Sequence, residues 1–101
     1  MVKVRWSRRI IAEIHEAREY LLPYAPASAE RLTNEIFAKG VLLEQQPLLG
    51  RVVPEAKRPE VRELFYKKYR VVYRLVSDSE ILMLTLHPAL RPLVVDALSG
   101  E

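Results

Sequence analysis

The side chains best suited to chemistry lie in the second half of the chain, where arginine, lysine, tyrosine and histidine cluster between residues 57 and 91. A guanidinium holds a carboxylate or a phosphate through paired hydrogen bonds, and an imidazole exchanges protons near neutral pH. Arginines at strand positions of a small sheet therefore indicate a partner that carries one of these anions. The candidate contact residues are Arg62, Arg70, Arg74 and His87.

A purely structural interpretation of the same stretch also stays open. Lys57, Lys67 and Lys68 fit a solvated sheet edge, where lysine discourages pairing with a strand of another molecule. The tyrosines fit strand residues that bury their rings against the sheet. His87 equally fits a polar residue that ends a strand.

The charge of the chain is unevenly distributed. The 101 residues include 16 Lys or Arg and 13 Asp or Glu, a net charge of +3, yet residues 51–74 alone hold eight basic and three acidic side chains. A net charge this small does not by itself indicate nucleic-acid binding. The concentration of basic residues in one segment favours a partner that is recognised locally.

The classical signatures of enzymes and metal sites are missing from the sequence. There is no cysteine, the two histidines are far apart, and the three glycines form no phosphate-binding loop. Ser7 and Ser28 fit helix N-caps better than nucleophiles, because no base stands beside them in the sequence. We therefore expect neither a metal nor a cofactor.

Hydrophobic periodicity predicts an α+β domain. Residues 2–6 alternate as a short strand, and a spacing of three and four then predicts a helix from Ser7 to Leu22. A second helix is predicted from Ser28 to about Pro47, so that the two helices form an antiparallel hairpin.

Strands are predicted at 61–66, 69–76 and 81–86, with Lys67 and Lys68 as the turn of the first hairpin. The helical hairpin should cover one face of this antiparallel sheet. The other face should then be partly exposed and basic, because Arg70 and Arg74 alternate onto the same side of one strand. The segment from Ala89 to Leu98 fits either a short helix or a docked tail.

The length predicts a single domain over residues 1–101. No apolar run is long enough to span a bilayer, and the first residues contain no apolar stretch of the kind found in signal peptides. We expect a cytoplasmic protein without a membrane partner.

An ordered set of short motifs resembles the RelE/ParE superfamily of toxins from bacterial type II toxin–antitoxin systems. The resemblance covers nearly the whole chain and agrees with the predicted order of elements. The motifs are Trp6-Ser7, Pro47-x-x-Gly50-Arg51-x-Val53-Pro54-Glu55, Val61-Arg62-Glu63-Leu64, Tyr69-Arg70-Val71-Val72-Tyr73-Arg74 and Leu86-His87.

The resemblance implies a growth-inhibiting toxin that is neutralised by a cognate antitoxin, with a higher-order toxin–antitoxin complex as one assembly it allows. An acidic, amphipathic antitoxin segment would fill apolar grooves and pair with the arginines. Members of the superfamily differ in target. ParE-like members poison DNA gyrase, whereas RelE-like members cleave messenger RNA on the ribosome without metal.

The ParE-like branch matches this sequence better. The strand before Tyr69 shows Glu63 and Phe65 where the RelE pattern has lysines, and Pro92-Leu93-Val94-Val95-Asp96 offers no tyrosine. In this branch Arg62, Arg70, Arg74, His87 and Arg91 would contact the target, although Arg91 stands one residue later than the expected His-x-x-Arg spacing.

Two alternatives remain. In a ribosome-dependent endoribonuclease, Arg70 would stabilise phosphate charge, and Glu63 or His87 would deprotonate the attacking ribose hydroxyl. In an inactive toxin homologue, the chain would only bind its antitoxin.

Overall fold

The computed structural model describes residues 1–93 as one mixed sheet with a pair of helices on one face. The sheet has the strand order β1-β5-β4-β3-β2. Its elements, in chain order, are β1 (Lys3–Trp6), α1 (Arg8–Leu21), α2 (Pro26–Gln45), β2 (Arg51–Val52), β3 (Val61–Tyr66), β4 (Tyr69–Ser77) and β5 (Glu80–Pro88).

The first helix begins where the sequence predicts it. The Ser7 hydroxyl accepts a hydrogen bond from the Ile10 backbone N–H at 3.1 Å and donates one to the Leu84 carbonyl at 2.8 Å. Ser7 therefore caps α1 and also anchors it to β5.

The predicted start of the second helix at Ser28 is wrong. Helix α2 begins two residues earlier, at Pro26, and Ala25 occupies the N-cap position without a side-chain hydrogen bond. Proline is favoured in the first helical turn because its fixed φ suits the helix and its missing N–H has no partner there. The Ser28 hydroxyl instead accepts a hydrogen bond from Arg31.

The three predicted strands and their hairpin are confirmed. Tyr66 pairs with Tyr69 across the Lys67-Lys68 turn, in which Lys67 takes a φ of 51°. Two features of the sheet were not predicted. Strand β1 runs parallel to β5 at one edge, and the two-residue strand β2 pairs with β3 at the other.

The main core lies between the helices and the sheet, as the sequence predicts. It is formed by apolar residues of α1 and α2 that pack on alternate residues of β4 and β5. Gly40 of α2 lies so close to Trp6 that an added Cβ would stand 2.6 Å from the indole. The core includes Ile10, Ile14, Leu32, Ile36, Leu43, Tyr66, Val71, Tyr73, Ile81, Met83 and Leu86.

The opposite sheet face is largely covered, so the expectation that Arg70 lies on an exposed basic face is wrong. Residues 53–60 cross this face, and the segment after β5 returns over it to bury Leu93 in a second apolar cluster. Periodicity did not reveal this cover, because both covering segments are irregular. The cluster contains Val53, Val61, Val72, Leu82, Leu84 and Leu93.

Residues 89–93 form no helix and dock on the sheet, which is the tail arrangement that the sequence left open. The remainder of that segment, residues 94–98, lies outside the described residues. Within residues 1–93, neither helix combines the length and the apolarity that crossing a bilayer requires.

Candidate functional site

An ion-pair cluster on the sheet face opposite the helices contains two of the predicted site residues. The Arg70 guanidinium donates from Nε to Glu63 Oε1 at 2.5 Å, and from Nη1 and Nη2 to the two Glu55 oxygens at 2.8 and 2.7 Å. Arg51 donates to the second Glu63 oxygen at 2.7 Å. We call these four residues the Arg70 cluster.

The Arg70 cluster is built by three strands and one loop. Arg70 and Glu63 come from neighbouring strands β4 and β3, Arg51 pairs with Glu63 across β2 and β3, and Glu55 comes from the covering loop. Arg70 is only 5% exposed, and the Glu63 side chain has no exposed surface. Two carboxylates therefore balance two guanidinium groups, with Arg70 and Glu63 buried at the centre and Arg51 and Glu55 reaching solvent at 58% and 33% side-chain exposure.

The electrostatics follow from this geometry. Hydrogen bonds from Arg70 lower the pKa of Glu55 to about 2, against the opposing effect of burial. Hydrogen bonds from Glu55 raise the pKa of Arg70, again against the effect of burial. Both groups stay ionised across the physiological pH range.

The hydrogen bonds within the Arg70 cluster leave its side chains little capacity for catalysis. Each of the three Arg70 nitrogens donates to a carboxylate, and each Glu63 oxygen accepts from an arginine. A phosphate would have to displace Glu55 to reach Arg70, and a substrate hydroxyl would have to enter a closed core to reach Glu63. The arrangement therefore holds the covering loop on the sheet.

His87 lies beside the cluster. It is the cross-strand partner of Arg70 on β5, and its Nε2 lies 3.2 Å from the Arg91 carbonyl and 3.1 Å from the Pro92 carbonyl. With Nε2 protonated, the ring donates toward the segment that carries Leu93. Arg91 is exposed on this same segment. Arg70 thus has Glu63 and His87 as neighbours, whereas Arg91 lines a cleft together with Glu13 and Glu16 of α1.

Arg74 is on the same face as Arg70, four residues along β4, and is partly exposed. It pairs with Val61 on β3 and with Leu82 on β5. The pKa of Glu60 is lowered mainly by a backbone hydrogen bond and by the hydrogen bond from Arg58, with a smaller contribution from the positive charge of Arg74. Arg74 thus has a side chain that a partner can reach.

Arg62 is separated from the other candidates. Strand alternation places it on the helix side of the sheet, where Nη1 donates to the Gly50 carbonyl at 2.9 Å and Nε to the Pro59 carbonyl at 3.2 Å. The Tyr73 hydroxyl acts on the same loop, because it accepts from the Gly50 N–H at 2.9 Å and donates to the Pro47 carbonyl at 2.8 Å. Arg62 and Tyr73 together hold the α2–β2 connection.

The ion-pair partners around Arg70 were not predicted. The motifs quoted above contain Glu55, Arg51 and Tyr73, but no role was predicted for these residues. The available indication was that Glu63 is an acid at an inward strand position, which requires a basic partner. No group of three or more acidic, histidine or cysteine side chains in residues 1–93 is placed to hold a metal ion.

Comparison with known proteins agrees with the fold. A chain from the solved structure of a chromosomal ParDE toxin–antitoxin system from P. aeruginosa has a similar fold, with a TM-score of 0.70 and 21% sequence identity over 87% of this chain and 96% of that chain. Comparison with the curated proteins finds no match. The model of the family described as the ParE toxin of the type II toxin–antitoxin system, parDE, matches residues 4–89, and the chain therefore belongs to the ParE toxin family.

Proposed function

We propose that this toxin inhibits bacterial growth by binding and poisoning DNA gyrase in the cytoplasm, and that a cognate antitoxin neutralises it in a toxin–antitoxin complex. Family membership supports the toxin role and the antitoxin partner. Gyrase is the target that the ParE-like branch implies. The mode of action is binding, without a chemical step performed by this chain.

The observation that supports binding rather than catalysis is the pairing of side chains within the Arg70 cluster. Cleavage of RNA would need a free guanidinium for the phosphate and a free base for the ribose hydroxyl. Here the guanidinium of Arg70 and the carboxylate of Glu63 are buried against each other at 2.5 Å. Their arrangement favours a structural role over RNA cleavage.

We propose that Arg74, His87 and Arg91 contact the target, since each keeps some exposed surface. Arg62 and Arg70 act in this proposal as positioning residues. Arg62 holds the α2–β2 connection, and Arg70 holds the covering loop on the sheet face that carries Arg74.

A supercoiling assay with purified gyrase tests the proposal. We expect the wild-type chain to inhibit supercoiling, and the Arg74→Ala/Arg91→Ala double variant to need about tenfold more protein for the same inhibition. The control is Arg8→Ala/Arg9→Ala, which removes two exposed arginines at the start of α1. Wild-type protein at high excess that left supercoiling unchanged would overturn the gyrase assignment.

The endoribonuclease alternative has one observation in its favour, the adjacency of Arg70 and His87 across β4 and β5. It predicts that induction of the chain lowers methionine incorporation before thymidine incorporation, and that His87→Ala abolishes the effect. The gyrase proposal predicts that thymidine incorporation falls first. A chain that binds antitoxin and lowers neither would be an inactive homologue.

A further inference from the structure

A cleft of about 310 Å³ opens between the tip of the helical hairpin and the β3–β4 turn. We call it the hairpin cleft. Its volume suits one or two side chains of a partner. It is lined by Tyr20, Leu21, Ser28, Leu32, Tyr66, Lys67, Lys68 and Tyr69.

The lining combines apolar and aromatic surface with one unsatisfied polar group. Leu32 and Tyr66 are almost fully buried, at 2% and 6% exposure. The Tyr66 hydroxyl is buried, yet it has no hydrogen-bond partner within residues 1–93. An unsatisfied buried hydroxyl destabilises the free protein, and a docked partner that supplies a hydrogen bond removes that cost.

The charged residues that line the hairpin cleft are all basic. None of the residues that line it is acidic, while Lys67 and Lys68 stand exposed at its rim. The Nζ atoms of Lys67 and Lys39 each lie 5.6 Å from the centroid of the Tyr66 ring. None of these three lysines forms a salt bridge within the described part of the chain.

Two other clefts of comparable volume within residues 1–93 differ in charge. One is lined by Glu13 and Glu16 together with Arg91, and the other contains Asp78 and no basic side chain. Among these three clefts, the hairpin cleft is the one that offers positive charge beside apolar surface without an acidic residue in its lining. This combination selects an acidic segment that also carries an apolar anchor.

Exposed aromatic surface continues beyond the cleft. Tyr20 and Tyr24 are 71% and 78% exposed, and their ring centroids lie 5.9 Å apart. Tyrosine is enriched where protein interfaces place their strongest contacts. An occupant of the cleft can thus extend along the hairpin tip over more than one side chain.

We propose that the hairpin cleft docks an acidic segment of the antitoxin, with an apolar side chain of that segment inside the cleft and its carboxylates on Lys67 and Lys68. The identity of the partner rests on the proposed function, whereas the location and the chemistry rest on the cleft itself. Tyr66 lies at the floor of this docking site.

The test measures the affinity of the full-length antitoxin for variants of the full toxin chain. Lys67→Glu should weaken binding about tenfold, and the Lys67→Glu/Lys68→Glu double variant should weaken it further, with a smaller difference at high salt. The matched control is Lys57→Glu. Lys57 is also an exposed lysine with a left-handed backbone, φ 55° against 51° for Lys67, but it lies away from the cleft.

The possible outcomes distinguish the docking site from the toxin role. Antitoxin that binds the Lys67→Glu/Lys68→Glu variant as tightly as the Lys57→Glu variant would overturn the cleft and leave the toxin role standing. Antitoxin that does not bind the wild-type chain would overturn both. A single-stranded oligonucleotide whose binding alone depended on Lys67 and Lys68 would make the cleft a nucleic-acid site, against this proposal.

A second readout uses overlapping synthetic peptides that cover the antitoxin. We expect one acidic peptide to shift the NMR signals of Tyr66 and Tyr69, and to lose affinity when its apolar anchor is replaced by alanine. Shifts confined to the sheet face around Arg74 would contradict the docking site.

Discussion

The Arg70 guanidinium and the Glu55 carboxylate form a two-point ion pair, with both nitrogen–oxygen separations between 2.7 and 2.8 Å. Glu55 belongs to a loop that has no regular structure, and Arg70 belongs to a central strand. The pair therefore fixes an irregular segment on a rigid one. The same loop carries Val53, which is fully buried in the second apolar cluster.

Replacement of Arg70 should destabilise the fold strongly. Arg70→Ala leaves Glu63 buried with Arg51 as its remaining partner, and removal of one member of a buried pair costs about 3–5 kcal/mol. Urea unfolding should show this loss of free energy. Arg74→Ala, a control on the same strand and face, should cost less than about 1 kcal/mol. Equal urea midpoints for Arg70→Ala and Arg74→Ala would show that the Arg70–Glu63 pair does not stabilise the fold.

The Glu55–Arg70 pair should also make stability depend on acidity. The folded state lowers the pKa of Glu55 from 4.5 to about 2, so the unfolded state binds a proton first as the pH falls. The contribution of Glu55 is therefore complete above about pH 5 and disappears between pH 4.5 and about 2. We expect the difference in unfolding free energy between the wild type and Glu55→Gln to shrink over this window.

The control for that experiment is Glu30→Gln, because Glu30 is exposed on α2 and distant from the Arg70 cluster in the sequence. A difference between wild type and Glu55→Gln that stayed constant from pH 6 to about pH 2 would contradict the assigned pKa shift.

The regular elements could be predicted because their physical cause is local. Alternation along 61–66 and 69–76 sets the strands and places Arg70 and Arg74 on one face, and a hydroxyl at Ser7 sets the start of α1. The surroundings of Arg70 have a cause that is not local. They depend on the path of residues 53–60, which contain no periodic pattern and reach the sheet through Val53 and Glu55.

The same distinction explains Arg62. Its position on β3 could be predicted, but its partners are carbonyl groups of Gly50 and Pro59, and any residue supplies a carbonyl. A sequence pattern cannot single out such partners. The presence of an acid, Glu63, within a predicted strand was visible in advance, but its burial, which closes this part of the sheet, is known only from the structure.

Gly50 should tolerate a side chain much less well than Gly40. An added Cβ at Gly50 would stand 2.6 Å from the Glu63 carbonyl oxygen and 2.8 Å from the Tyr73 hydroxyl, so the backbone itself would have to move. At Gly40 the obstacle is the Trp6 ring, which can shift, and alanine favours the helix by about 1 kcal/mol. We expect Gly50→Ala to cost about 1–3 kcal/mol more than Gly40→Ala. Thermal unfolding of the two variants measures the difference, and the reverse order would show that the Pro47–Gly50 connection is loosely held.

Glu13 should protect the outer edge of β5. Strand β1 pairs with β5 only as far as Met83, and beyond that point a Glu13 oxygen of α1 accepts from the Leu86 backbone N–H at 2.9 Å and from the Thr85 hydroxyl at 2.7 Å. The carboxylate thus replaces the missing neighbouring strand. Glu13→Ala should speed exchange of the Leu86 amide hydrogen about tenfold, because one hydrogen bond to a charged acceptor is worth about 1.5–3 kcal/mol.

The control for this edge is Glu16→Ala, one turn along α1, where no hydrogen bond to β5 exists in the described residues. Hydrogen exchange followed by NMR should show a faster Leu86 amide in Glu13→Ala alone, with unchanged exchange in β3. Uniformly faster exchange across the whole sheet would instead mean that Glu13 contributes to global stability. An exposed β5 edge is a site for pairing with a second chain, so Glu13→Ala should also aggregate at lower protein concentration than Glu16→Ala.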